Sequence, residues 1–177
     1  RVVNELIYSL LNSQHYQPKK LNDELSVQVY DLYFEGLDYN KRFFTKPEMD
    51  QWKSKSTQLD DFFAENNLTF FDETYGVFTK RLNEVHEMVD EILESPIDIS
   101  KGETLETNPE KISWASDMEE LKDRWRKYLK FRVVSRIHAD LEEMETAKEN
   151  NDTTVAQLSI EALEKKARTK EKEMHSD

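Results

Sequence analysis

The residues in this chain best suited to metal chemistry are a histidine and an aspartate one helical turn apart. His86 and Asp90 share a face if their segment is helical, and both side chains are ordinary zinc ligands. An H-E-x-x-H zinc-protease motif would need a second histidine at position 90, where this chain has aspartate. Two ligands do not form a site, so we predict a solvated helix face with no metal and no cofactor.

A second candidate set places hydroxyl groups beside an amine at Ser54, Lys55 and Ser56. Peptide cleavage needs a nucleophile, a base that activates it and donors for the oxyanion. Adjacent helical residues point in different directions, and no glycine turn stands nearby. The other histidines are scattered, and the carboxylates at 142–145 have no evident pocket. The sequence therefore predicts no catalytic residue.

Aromatic side chains form the third group with binding chemistry. The cluster consists of Tyr39, Phe43, Phe44, Phe62, Phe63, Phe70 and Phe71. Such rings can line a groove for an apolar peptide tail, although core packing is the plainer role. We keep both interpretations. The candidate docking or groove residues are Tyr39, Phe43, Phe44 and, in a later segment, Trp125.

Charge and composition exclude several classes of protein. With 25 basic and 37 acidic residues the formal charge is -12, and clustered phosphate-binding cations are lacking, so we predict no nucleic-acid partner. The chain has no cysteine, which leaves its redox compartment open. No apolar run reaches the roughly 20 residues of a membrane-spanning helix. Arg1 stands where an initiator methionine is expected, which suggests a piece of a longer protein.

Helical periodicity and helix start signals dominate the organisation of the chain. Asn22 can cap the second helix. Thr45 with Glu48, and Ser116 with Glu119, stand at capping-box spacing. We predict helices at about 2–13, 22–36, 45–65, 69–94, 117–148 and 154–174, and no strands. The expected fold is an all-α, irregular multi-helix bundle of about six helices with one long surface loop at about 95–116, pinned by Ile97, Ile99 and Trp114.

Apolar spacing predicts which helix faces are buried. In the second helix we expect Leu25, Val29, Leu32 and Tyr33 to face inward. The heptad pattern at 71–92 suits a bundle core or, as the alternative, an intermolecular coiled coil. The cations between Lys122 and Arg132 should form a solvated or salt-bridged face. The last helix has a weak apolar edge that either frays or packs on something outside the chain. We therefore divide the chain into a bundle domain, 1–149, and a polar break with a C-terminal helix or tail, 150–177.

Several extended segments resemble one bacterial protease family. They are SQHY, VYDLYFEGLDYNKRFF, DDFF, PIDIS and DMEELKDRWRKYLKFR. Together they resemble the helical amino-terminal domain of the tail-specific, or carboxy-terminal processing, serine proteases. In that family the helical domain precedes a PDZ domain and a peptidase core that holds a catalytic serine and a lysine base. No position of this chain matches the catalytic motif.

The resemblance implies a non-catalytic domain of a periplasmic protease that selects proteins by their carboxy-terminal tail. It implies that the partners are the PDZ and peptidase domains of the same full-length chain, together with protein substrates or an adaptor. The domain would serve as scaffold, chamber wall or docking surface. The alternative is an autonomous helical interaction or adaptor module with no protease attached, which the heptad run and the acidic surface suit equally well.

Overall fold

Helices are the only regular elements in the part of the chain that the computed structural model describes, which is residues 6, 7, 10 and 20–176. In chain order they are α1 (Asp23–Asp38), α2 (Lys46–Lys53), α3 (Leu59–Ala64), α4 (Thr69–Glu94), α5 (Met118–Glu149) and α6 (Ile160–Ser176). The all-α prediction is confirmed. The first predicted helix, at 2–13, lies almost wholly outside the described residues.

Two helix starts follow the capping chemistry that the sequence predicts. The side chain of Asn22 accepts the Leu25 N–H at 3.1 Å and caps α1. Glu48 accepts the Thr45 N–H at 2.8 Å and forms the predicted capping box at the start of α2. The bounds of α4 agree with the prediction, and no helix lies between Glu94 and Met118, where the long loop was expected.

The predicted single helix at 45–65 is wrong, because a turn separates α2 from α3. The chain leaves the helix at 54–58, and the Ser54 hydroxyl donates to the carbonyl of Gln51 at 2.7 Å. Serine and threonine compete for backbone partners in this way, and four of these five residues are Ser, Thr or Gln. Local hydrogen bonding therefore ends α2 two turns after its start.

The chain forms two compact units that interleave along the sequence. The first unit comprises the described residues up to Arg81 together with Pro109–Asp117, and the second comprises Leu82–Asn108 and Met118–Asp177. The first half of α4 belongs to the first unit and its second half to the second unit. We describe each unit separately.

Aromatic rings build the core of the first unit. Phe34 stacks on Trp52 with centroids 5.3 Å apart, and Phe44 meets the same indole edge-on at 5.1 Å. The expected inward stripe of α1 is wrong at Leu32, which is 67% exposed, and at Val29, which is 39% exposed. Tyr33 does pack against the core, and Leu25 is partly buried. The buried face of α1 is instead Ser26, Tyr30, Phe34 and Asp38. The large flat rings, not the aliphatic side chains, set the orientation of the helix.

The second unit is built on the packing of α5 against α6. Val133 and Ile137 of α5 bury Leu163 and Ala167 of α6. The sequence analysis expected Ile97 and Ile99 to pin the long loop, and both side chains do pack against this cluster. We expected the apolar edge of the last helix to fray or to pack outside the chain. Instead it packs on α5, because Leu163 and Ala167 lie one turn apart on its inner face.

The basic residues of α5 are salt-bridged, as predicted. Each of the six cations between positions 122 and 132 lies within 4.0 Å of a carboxylate. Lys130 is the most buried of them, and its ammonium donates to Glu103 at 2.8 Å and to the carbonyl of Lys101 at 2.7 Å. These bonds hold the loop after Pro96 against α5.

Candidate binding cleft in the first unit

A cavity of about 540 Å³ opens in the first unit beside α1, α2 and the segment around Trp114. Its apolar wall is formed by Tyr30, Phe34, Tyr39, Met49, Pro109 and Trp114. Volumes of roughly 300 to 1,000 Å³ are usual for ligand clefts in proteins. This cleft is therefore large enough to hold several non-hydrogen atoms of a partner and not only water.

Helix α1 positions one side of the cleft through residues spaced four apart. Tyr30, Phe34 and Asp38 follow one another on a single face of α1. The Tyr30 hydroxyl donates to the carbonyl of Met49 at 3.3 Å, which ties α1 to α2. Burial, with the nearby carboxylates of Asp31 and Asp50, raises the pKa of Tyr30 to about 12. Tyr30 is therefore a neutral phenol at physiological pH.

Asp38 holds the turn that follows α1. Its carboxylate accepts three backbone N–H groups, from Arg42 at 2.6 Å, Phe43 at 2.9 Å and Phe44 at 3.0 Å. Burial raises the pKa of Asp38, and these three hydrogen bonds, which favour the charged form, offset only part of that effect. Inside this turn Lys41 adopts a left-handed backbone with φ 52°. The turn therefore depends on one carboxylate to satisfy consecutive backbone donors.

Lys41 connects the turn to the other side of the cleft. Its ammonium donates to the carbonyl of Pro109 at 2.9 Å and also to the carbonyl of Ile112. The same group lies 5.9 Å from the centroid of the Trp114 ring, within the range of a cation–π contact. Trp114 packs on Phe44 with centroids 6.3 Å apart. The segment that carries Trp114 is thereby fixed beside α1.

Carboxylates outnumber cations around the cleft. Five acidic residues line it, namely Asp31, Glu35, Asp38, Asp50 and Glu110, against two lysines, Lys41 and Lys53. Lys53 lies with its ammonium 4.9 Å from the centroid of the Tyr30 ring and 3.5 Å from a carboxylate oxygen of Asp31. The ammonium groups of both lysines therefore lie near aromatic rings, in a cleft that is lined by more carboxylates than cations.

The four residues proposed from sequence as docking or groove residues have different surroundings. Tyr39 lines the cleft and is 53% exposed. Phe43 is half-buried and packs on Phe78 at 5.4 Å, while Phe44 is wholly buried in the core. Trp125 is 6% exposed and belongs to the second unit. The structure brings Tyr39 alone of the four to the cleft, and a docking role for the others stays a prediction.

Sequence reasoning did not single out Tyr30, Lys53 or Trp114 as binding residues. The available signal was the one-turn spacing of Tyr30 and Phe34, which places two rings on one helix face. Lys53 comes to Tyr30 only because α2 folds back along α1, and Trp114 comes to Phe44 across a separation of 70 positions. Neither relationship has a local sequence signature.

The second unit has its own cavity, of about 520 Å³, where the loop after Pro96 meets α5. Glu103 at this site bonds Arg126 and Lys130, and these bonds hold the pKa of Glu103 well below its usual range. Both carboxylate oxygens of Glu103 are therefore engaged by cations of α5.

The side chains that the sequence offers for metal binding or catalysis are each paired with a neighbouring group. Nε2 of His86 lies 3.8 Å from a carboxylate oxygen of Asp90, and the part of the chain that is described contains no cluster of three or more metal-binding side chains. The ammonium of Lys55 donates to Glu73 at 3.0 Å, and Ser54 donates to Gln51. Within residues 20–176 we find no helix with the length and apolarity to span a bilayer.

Comparisons with known proteins agree with one another. The family model described as "Tail specific protease N-terminal domain" matches residues 7–177. The tail-specific protease of Haemophilus influenzae is 25% identical over 126 residues, which is 71% of this chain. The same alignment covers 18% of that protease. The chain therefore matches less than a fifth of the length of this curated relative.

Proposed function

This chain belongs to the family of tail-specific protease N-terminal domains, and on that premise we propose that it is the non-catalytic helical domain of such a protease. The observation that carries the proposal is the family match, which extends over nearly the whole chain. In this function the domain works in proteolysis without cleaving a peptide bond itself.

The arrangement of the hydroxyl and amine groups supports the non-catalytic part of the proposal. The serine and lysine at 54 and 55 direct their polar groups to the Gln51 carbonyl and to Glu73. A nucleophile and its activating base bond each other, whereas these two side chains bond separate partners. Ser56 is buried and belongs to the turn that separates α2 from α3.

We place the catalytic serine and its lysine base in a peptidase core of the same full-length protein, beside a PDZ domain. The curated relative supports this arrangement, because the matched region is a small part of a much longer protease. We further propose that the full-length protein acts in the bacterial cell envelope, in the periplasm, on proteins selected by their carboxy-terminal tail.

The task we assign to this domain is to support and present the proteolytic machinery, with a docking surface for protein partners. Its ring-built core and its salt-bridged α5 supply a stable support. The cleft beside Tyr39 supplies an open, partly aromatic surface of the kind that binds peptides.

Peptide hydrolysis tests the proposal directly. The purified chain, incubated with a fluorogenic peptide that ends in an apolar tail, should release no product. The full-length protein should cleave the same peptide, and it should retain its turnover when it carries Ser54→Ala or Lys55→Met. Cleavage by the isolated chain, or loss of turnover in those two full-length variants, would place catalytic groups here and refute the assignment.

A further inference from the structure

We propose that the cleft of the first unit binds an arginine or lysine side chain presented by an extended segment of a partner polypeptide. The inference rests on the cleft itself and goes beyond the proposed function, because it holds whether or not the full-length protein is a protease.

The aromatic walls of the cleft already attract cations. The ammonium of Lys53 lies 4.9 Å above the Tyr30 ring, and that of Lys41 lies 5.9 Å from the Trp114 ring. Lys41 is fixed by two backbone carbonyls, whereas the Lys53 side chain is 58% exposed. Because the Lys53 side chain is exposed, its ammonium can leave the ring and be solvated by water at little cost. An incoming cation can then take its place over Tyr30.

The rim of the cleft supplies negative charge that is open to a partner. The Asp31 side chain is 62% exposed and lies 3.5 Å from Lys53, a surface ion pair of small net stability. Asp50 is 64% exposed and pairs with Lys46, also at the surface. Within the described residues no cation lies in ion-pairing distance of Glu35, which is also exposed. A guanidinium over Tyr30 would complement these carboxylates.

The dimensions and the apolar wall favour a polypeptide over a free cation. A cavity of about 540 Å³ exceeds the space that one guanidinium needs, and Tyr39 at its edge is 53% exposed. An exposed tyrosine beside a charged cleft can pack against the apolar residue that neighbours the cation on a peptide. The net charge of -12 also steers basic partners towards this protein. Arginine suits the site best, because its planar group stacks on rings and is weakly hydrated.

The position of Lys53 makes the proposal sharply testable. Lys53 is an internal competitor for the face of Tyr30, so removing its charge should strengthen binding of a basic peptide. An exposed lysine elsewhere in the same unit, Lys80, does not line the cleft and provides a matched control. Glu35 and Glu24 form a second matched pair, because both are exposed glutamates of α1 and only Glu35 lines the cleft.

The experiment uses the whole chain and a fluorescent peptide, Gly-Ser-Leu-Arg-Leu-Ser-Gly with blocked ends, measured by fluorescence anisotropy. The reference peptide has citrulline, the neutral isostere, in place of arginine. We expect the arginine peptide to bind about tenfold more tightly. Lys53→Met should tighten its binding by about threefold and Glu35→Gln should weaken it by about threefold, while Lys80→Met and Glu24→Gln change it by less than about 1.5-fold.

Three results would overturn the proposal. The first is equal binding of the arginine and citrulline peptides. The second is an equal effect of Lys53→Met and Lys80→Met, which would mean that only the net charge of the protein matters. The third is spermine binding as tightly as the peptide and displacing it, which would make the cleft a general polyamine site. All four substitutions are at exposed positions, and circular dichroism would verify that each variant is folded.

Discussion

Arg136 donates a hydrogen bond from Nε to Oε1 of Glu171, a carboxylate that is almost completely buried between α5 and α6. Arg132 donates to the other oxygen of Glu171 at 3.3 Å, and His175 lies 4.0 Å from that oxygen. Burial raises the pKa of Glu171, but the hydrogen bonds from Arg136 and Arg132 outweigh burial and lower it below its ordinary value of 4.5. One carboxylate and two guanidinium groups therefore join the two main helices of the second unit.

The lowered pKa of Glu171 predicts acid sensitivity. Because the folded state binds this proton more weakly than the unfolded state, the stabilisation is complete above about pH 4.5 and is lost as the pH falls through the folded-state pKa. Glu171→Gln should lower the free energy of unfolding at pH 7 by about 1.5 to 3 kcal/mol. It should also flatten the dependence of that free energy on pH below 4.5, as measured by urea unfolding. Glu173→Gln, on the exposed side of α6, is the control, and an equal loss there would contradict the pairing.

Burial of Trp125 predicts a large loss of stability on truncation. Its side chain is 6% exposed and packs edge-on against Tyr128 at 5.7 Å. Trp125→Ala should therefore cost about 3 to 5 kcal/mol in the free energy of unfolding. Phe131 lies on the same helix but is 51% exposed, so Phe131→Ala should cost less than about 1 kcal/mol. A loss at Trp125 no larger than at Phe131 would favour a docking role for the indole.

The Glu48 carboxylate makes two separate interactions, and a substitution that removes it should lose the stability contributed by both. One oxygen accepts from Thr45 to complete the capping box, and the other accepts from Arg81 at 2.6 Å. Glu48→Ala should cost about 2 to 3 kcal/mol, since a cap contributes about 1 and a largely buried charged bond about 1.5. Thr45→Ala and Arg81→Met should each cost less than Glu48→Ala. Additive losses in the Glu48–Arg81 double-mutant cycle would show that this pair has no coupling energy.

Asp38→Asn tests whether a carboxylate is required in the turn after α1. An asparagine side chain has one acceptor oxygen where Asp38 uses two, so at least one of the three backbone N–H groups would face an amide nitrogen. The expected cost is about 1 to 3 kcal/mol at pH 7. Because burial raises the pKa of Asp38, its own contribution to stability is greatest at low pH and declines as the pH rises through the folded-state pKa. An NMR titration should place the carboxyl pKa of Asp38 above 3.8, and a value below 3.8 would contradict this.

Much of the fold could be predicted because its signals are local. The Asn22 cap, the Thr45–Glu48 capping box and the bounds of α4 depend on neighbours within one or two turns, and the structure confirms each of them. The turn at 54–58 was missed because its residue types tolerate a helix as well as a turn. Propensity alone could not decide between the two.

The buried faces were harder to predict because they depend on partners that are distant in sequence. Leu32 looks apolar enough for a core, yet its face of α1 has no partner among the rings that collect around Trp52. Ser26 is buried in its place because its hydroxyl bonds to Asp60 on α3. The cleft shares this difficulty, since Tyr30, Lys53 and Trp114 meet only through tertiary folding.

The discontinuity of the first unit has a consequence for biosynthesis. In the folded unit the ammonium of Lys41 donates to the carbonyl of Pro109, and the N–H of Lys46 donates to the carbonyl of Ala115 at 2.7 Å. A nascent chain that has emerged only as far as Arg81 lacks both acceptors and the Trp114 ring. We therefore expect this unit to complete its fold on the ribosome only after residue 117 has emerged. For the same reason, we expect a gene fragment that ends before Pro109 to encode a first unit without the Trp114 ring that packs on Phe44.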